Sequence, residues 1–128
     1  MLSFRIVNHG QSGNLIETPI PPLGPDQIAV EIHACALNFA DLLMIKGNYQ
    51  DTPPLPFTPG LECAGRVTAI GAQISEFEID DRVAVFSGQD GLAEMGVFDA
   101  SRAVHIPENV SYDSAAASLI AYGTSLLA

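Results

Sequence analysis

Nine prolines divide this 128-residue chain into stretches that can be regular and stretches that cannot. Pro19, Pro21, Pro22 and Pro25 fall within residues 18–27, and Pro53, Pro54, Pro56 and Pro59 within residues 52–60. A residue without an amide proton breaks a helix interior and cannot donate to a central strand, so both stretches read as extended, irregular connectors. Between them lies the clearest periodic signal in the chain. Ile28, Val30, Ile32, Ala34 and Ala36 fall on one face against Ala29, Glu31, His33 and Cys35 on the other, the pattern of a half-buried strand over residues 27–37.

The remaining elements follow from turn residues. Residues 4–7 and 15–17 are strand-like and flank His9-Gly10-Gln11-Ser12-Gly13-Asn14, which predicts a β-hairpin. After the long strand, residues 38–45 are too rich in unbranched side chains to continue it, and Asn38 as N-cap with Gly47 as stop predicts a helix of about two turns. Further strands are predicted over residues 62–70, 82–86, 95–98 and 103–106, with turns at Asp80-Asp81 and residues 87–91. From Ser114 to Ala128 the chain is rich in alanine and leucine and free of proline, which predicts a helical C-terminus. The expected fold class is mainly β (α+β): a small, strongly bent β-barrel with one short helix inserted after its most regular strand. A chain of this length buries roughly two thirds of its unfolded surface, so residues 1–128 form one domain, with 111–128 reading as the start of a connection to another.

Composition removes several function classes. Five Lys and Arg stand against 15 Asp and Glu, a net charge of −10, and such a field repels phosphate backbones and anionic lipid. Neither nucleic acid nor a membrane is an expected partner, and no basic-then-apolar leader opens the chain, so a cytoplasmic location is expected. Cys35 and Cys63 are too few for a zinc cluster or a disulfide framework and read as small buried fillers. His9, His33 and His105 show no spacing to a nucleophile that suggests a triad.

Ala36-Leu37-Asn38-Phe39-Ala40-Asp41, Lys46-Gly47-Asn48-Tyr49, Pro56-Phe57-Thr58-Pro59-Gly60-Leu61-Glu62-Cys63-Ala64-Gly65-Arg66-Val67, Asp81-Arg82-Val83, Ile106-Pro107 and Tyr122-Gly123-Thr124 follow one another in an order and spacing that are informative together. In that order they resemble the N-terminal catalytic domain of the medium-chain dehydrogenase/reductase superfamily, and specifically its zinc-independent quinone oxidoreductase branch. The resemblance implies a GroES-like barrel, NADPH or NADH as hydride source, a quinone or enone as substrate, and a homodimeric parent. It also implies a nucleotide-binding Rossmann domain outside these residues, where no G-x-G-x-x-G turn occurs, and hence an isolated domain without activity.

By position in the resembling motifs, Asn38 and Tyr49 are the expected catalytic residues, and Asn38, Asp41 and Thr124 the expected cofactor contacts, with Asp41 bracing the short helix and positioning Asn38. Asn38 and Tyr49 are expected to be removable at little cost in melting temperature. The two zinc-ligand positions of metal-dependent relatives hold Asn38 and Leu61, a poor donor and none, so no metal is expected. Hydride added to a conjugated carbonyl is delocalised as an enolate or aromatic alkoxide, which hydrogen-bond donors alone can stabilise. Glu62 reads equally as a functional carboxylate or a structural acceptor. The reading from another class is a stand-alone GroES-like binding or co-chaperone module.

Overall fold

The computed structural model describes residues 1–50 and 52–117. β1 (Leu2–Arg5) and β2 (Asn14–Glu17) pair antiparallel as the expected hairpin, Leu2 opposite Glu17 and Arg5 opposite Asn14. β3 (Gln27–Ala36), β4 (Glu62–Ile70), β5 (Arg82–Phe86), β6 (Met95–Asp99) and β7 (Ala103–His105) form a five-stranded antiparallel sheet in the order β6-β3-β4-β5-β7. α1 (Phe39–Lys46) is inserted between β3 and β4, and a 3-10 turn, Ala100–Arg102, joins β6 to β7. The mainly β class, the bent GroES-like arrangement and the inserted helix agree with the sequence reading.

One expectation about β3 needs correcting. Strict alternation would put Ala34 and Ala36 on the face of Ile28 and Val30. The ladder with β4 instead pairs Ile32 with Gly65 and Ala34 with Ala64, leaving His33 as an extra residue in the strand. A bulge of this kind shifts the side-chain phase by one. Ile28, Val30, Ile32 and Cys35 therefore share one core with Val67, Val83, Val85 and Phe98, while Ala34 and Ala36 pack with Ala64, Ala84, Ile106 and Ala116 on the other face.

A third apolar cluster fixes α1. Ile6 and Phe57 form a two-way backbone bridge at 2.8 and 3.1 Å, and with Met44 and Leu61 they clamp the helix between the hairpin and the second proline segment, which contains the cis Leu55–Pro56 bond. Gly47 ends the helix in the left-handed conformation at φ 78°, its N–H reaching Met44 O at 3.0 Å while the Asn48 N–H reaches Leu43 O at 2.8 Å.

Residues 112–117 are helical, two residues ahead of the expected start, and bury Ala115 and Ala116. Arg82 ties this exit segment to β5 by donating to Pro107 O at 3.0 Å and Val110 O at 2.6 Å, with its guanidinium 4.5 Å above the Tyr112 ring. The rest of the predicted C-terminal helix lies outside the described residues. No helix among the described residues is long and apolar enough to cross a membrane.

Candidate active site around the short helix

α1 begins soon after β3 ends, so the residue that caps the helix, Asn38, also stands just beyond the end of that strand. Asn38 adopts an extended conformation at φ −118° and ψ 163°, and its backbone N–H donates to Asp41 Oδ2 at 2.8 Å. Asp41 Oδ1 accepts the Gly60 N–H at 2.9 Å. One carboxylate, 1 % exposed, thus joins the start of α1 to the loop that opens β4. Gly60 sits at φ 119°, and a Cβ there would lie 2.6 Å from the Gly91 Cα, so only glycine allows this loop to present its amide to Asp41.

The Asn38 side chain is oriented by a partner distant in sequence. Its Nδ2 donates to Glu62 Oε1 at 3.3 Å, and Glu62 is itself 1 % exposed. A carboxylate oxygen only accepts, so the nitrogen side of the amide must face Glu62. Asn38 Oδ1 is turned to the Asp41 backbone N–H in the reciprocal half of the capping box, which leaves the second amide N–H.

Tyr49 occupies the loop after α1 and packs its ring on the Met44, Phe57 and Leu61 cluster. With Met44 and Leu61 it lines a groove of about 300 Å³ whose opposite wall is the end of β5 and its turn, from Phe86 to Gln89. That turn is held down by Ser87, whose N–H reaches Leu61 O and whose hydroxyl reaches Gly60 O, each at 2.8 Å. Asn38 and Asp41 therefore belong to one hydrogen-bonded set with Gly60 and Glu62, while Tyr49 belongs to the groove that Leu61, the residue before Glu62, helps to floor. Asp41 is buried and is joined to Asn38 by the backbone hydrogen bond at the helix start. Thr124 lies outside the described residues.

Two residues of this region carry no local signature in the sequence: Glu62 as the partner of Asn38, and Arg102, which lines the groove across from Tyr49. The first zinc-ligand position, Asn38, is bonded to Glu62, and the second, Leu61, is buried among apolar side chains. Among the described residues no group of three or more His, Cys, Asp or Glu is placed to hold a metal ion.

Cys35 and Cys63 face one another across β3 and β4, one step from the Ala36–Glu62 pair that leads into the site. Burial pushes both thiols from 9.0 up to about 12, with the Asp41 and Glu62 charges adding to the effect at Cys35 and Cys35 itself adding to it at Cys63. A pKa raised in the folded state favours folding below the unfolded value and loses that contribution as pH rises from about 9 toward 12. The native chain should therefore resist alkylation by iodoacetamide at pH 8 and take up label at both cysteines on unfolding in urea, as read by mass spectrometry. Cys63 is fully buried and Cys35 only half-buried, so rapid labelling of the native state at Cys63 would contradict this packing.

Three comparisons bear on this geometry. The family model described as the alcohol dehydrogenase GroES-like domain matches residues 24–108. Quinone oxidoreductase-like protein 2 of Rattus norvegicus is 45 % identical over 107 residues, covering 84 % of this chain and 31 % of the relative. The crystal structure of human synaptic vesicle membrane protein VAT-1 homolog-like protein superposes with a TM-score of 0.95 at 29 % identity, covering 99 % of this chain and 42 % of that one. The Escherichia coli quinone oxidoreductase complexed with NADPH gives 0.91 at 25 % identity, covering 99 % and 40 %. The chain spans less than half the length of each.

Proposed function

This chain belongs to the alcohol dehydrogenase GroES-like domain family, in the quinone oxidoreductase branch of the medium-chain dehydrogenase/reductases, and from that membership we propose that it forms the substrate side of an NAD(P)H-dependent reductase of quinones or conjugated enones. The observation that carries the reading is the groove between Tyr49 and the turn after β5, floored by Leu61, whose next residue, the buried Glu62, holds the Asn38 amide. Cofactor binding by further residues of a longer protein is part of the proposal, and the solved quinone oxidoreductase complexed with NADPH supports a nicotinamide as that cofactor. So are the homodimeric state and the cytoplasmic location of that protein.

The residues present suit a nicotinamide and a planar acceptor. Met44 and Leu61 give the groove an apolar floor, and Tyr49 and Gln89 give it polar edges, the usual composition of a site for a flat, weakly polar ligand. A bound nicotinamide supplies the hydride. Asn38, locked through Glu62 and Asp41, orients the ring or the acceptor by its second amide N–H, and the Tyr49 hydroxyl donates to the acceptor oxygen as negative charge develops there. Met44 and Leu61 exclude water from the reacting face and so strengthen those hydrogen bonds. The absence of zinc from the proposal rests on donor chemistry: an amide already bonded to Glu62 and a buried leucine cannot supply a first shell.

The test is NADPH and NADH oxidation by the protein expressed from its complete reading frame, with a panel of quinones and enones and metal analysis alongside. Activity with several conjugated acceptors and no stoichiometric zinc is expected. Zinc at one ion per chain, or turnover of saturated ketones alone, would overturn the reading. Tyr49→Phe retains the ring that packs on Met44 and Leu61 and removes only the hydroxyl. It should lower kcat roughly tenfold or more while leaving Tm unchanged by circular dichroism; equal losses in both would make Tyr49 a packing residue.

A further inference from the structure

The groove beside Tyr49 carries a charge that the proposed hydride chemistry leaves unused. The chain is strongly acidic, with 15 Asp and Glu against five Lys and Arg, and yet no described residue lining this groove is acidic; its one charged lining side chain is Arg102. Arg66 is neutralised by Glu31 and Asp80, and Arg82 is spent on the Pro107 and Val110 carbonyls and the Tyr112 ring. Arg102 makes no ion pair with any described residue. Its Nη1 donates to Phe86 O at 3.1 Å, which leaves the other N–H groups of the guanidinium uncommitted.

Its backbone is firmly placed. Arg102 ends the 3-10 turn that begins at Ala100, which is buried in the main core and donates its N–H to Asp26 O at 3.1 Å, and the next residue enters β7. The facing turn comes close without a side chain: the Cβ position of Gly88 lies 3.5 Å from Arg102 Nη1, and both residues line the groove. A planar cation with spare donors, set over a cleft without carboxylates in an otherwise acidic molecule, is complementary to a carboxylate or phosphate.

We propose that Arg102 forms an anion-binding subsite at the mouth of the groove, taking the carboxylate or phosphate group of a ligand whose planar portion lies against Tyr49 and Leu61. This rests on the proposed function for the identity of that planar portion. The anionic group has two sources, a substituent on the acceptor or the diphosphate of the dinucleotide, and the experiment separates them.

Wild-type protein from the complete reading frame, Arg102→Gln and Arg102→Lys would be compared in kcat/KM for 1,4-naphthoquinone and for a carboxylated naphthoquinone, and in KM for NADPH. Loss of a charge-assisted contact is expected to lower kcat/KM for the carboxylated quinone in Arg102→Gln about tenfold or more, with partial recovery in Arg102→Lys and the neutral quinone unchanged. A rise of similar size in the KM for NADPH with both quinones alike would support the subsite and assign it to the dinucleotide. No parameter moving by as much as twofold, or the two quinones falling together at constant NADPH affinity, would overturn it. Equilibrium binding of the carboxylated quinone against the neutral one, followed by NMR on the same proteins, reads the subsite without turnover. Wild-type protein that discriminates by charge but does not reduce either quinone would sink the proposed reaction and keep the subsite.

Discussion

Asp41→Ala should lower the stability of this chain by about 3 kcal/mol, because it strands two buried donors at once. The carboxylate accepts the Asn38 N–H through one oxygen and the Gly60 N–H through the other, at 2.8 and 2.9 Å, in a position closed to water. The Asn38 group belongs to the helix start, where no intrahelical carbonyl can take its place. Gly60 cannot turn away to find a new acceptor, since its loop is packed backbone to backbone against Gly91. For a domain of this size the loss corresponds to roughly 10 °C in Tm. Asp41→Asn should be nearly as damaging, because one of the two acceptors becomes a donor that meets another donor. Leu42→Ala, at the next position of the same helix, is the control: Leu42 is 53 % exposed, and its truncation should change Tm by no more than a degree or two. Thermal unfolding followed by circular dichroism reads all three, and an Asp41→Ala protein melting with the wild type would show that the carboxylate does not hold the helix to the loop.

How legible this was in advance depended on whether a feature is local. β4 and β5 have the bounds their residues predict because Gly71 and Asp80-Asp81 punctuate them, and α1 lies between a capping residue and a left-handed glycine that are readable without any fold. The Asn38–Asp41 link spans three residues and is a capping pattern in the sequence. The bulge at His33 was not readable, because Ala34, Cys35 and Ala36 are all small and apolar, and either phase of the strand could face the core. Only the pairing with β4 decides it. Glu62 and Arg102 share the same difficulty on a larger scale. A single carboxylate 24 residues from the amide it orients has no spacing signature, and Arg102 reaches the groove only because β6, the 3-10 turn and β7 wrap the chain back beside β5.

The pairing of β3 with β4 also changes what should happen when Asn38 is removed. Read as a cap beside a cleft, it is a residue whose loss costs turnover and leaves stability untouched. In the structure its Nδ2 is bonded to Glu62, and an alanine leaves that buried oxygen without this donor. Asn38→Ala should therefore cost about 1–2 kcal/mol of stability as well as lowering kcat by roughly 10²–10³, the usual loss when a positioned hydrogen-bonding group is withdrawn from developing charge. Glu62→Gln separates the two effects. Glutamine can satisfy the asparagine in either orientation, offering oxygen to Nδ2 or nitrogen to Oδ1, so it preserves the contact and gives up control of which amide atom is turned away from residue 62. Its Tm should stay near the wild type while kcat falls by about tenfold with little change in the KM for the quinone, the mark of an interaction made in the transition state alone. If Glu62→Gln turns over like the wild type, the carboxylate is a structural acceptor and the orientation of Asn38 has no part in catalysis. If it loses stability and turnover in the same proportion as Asn38→Ala, the pair supports the fold of the site and the chemistry must lie with Tyr49.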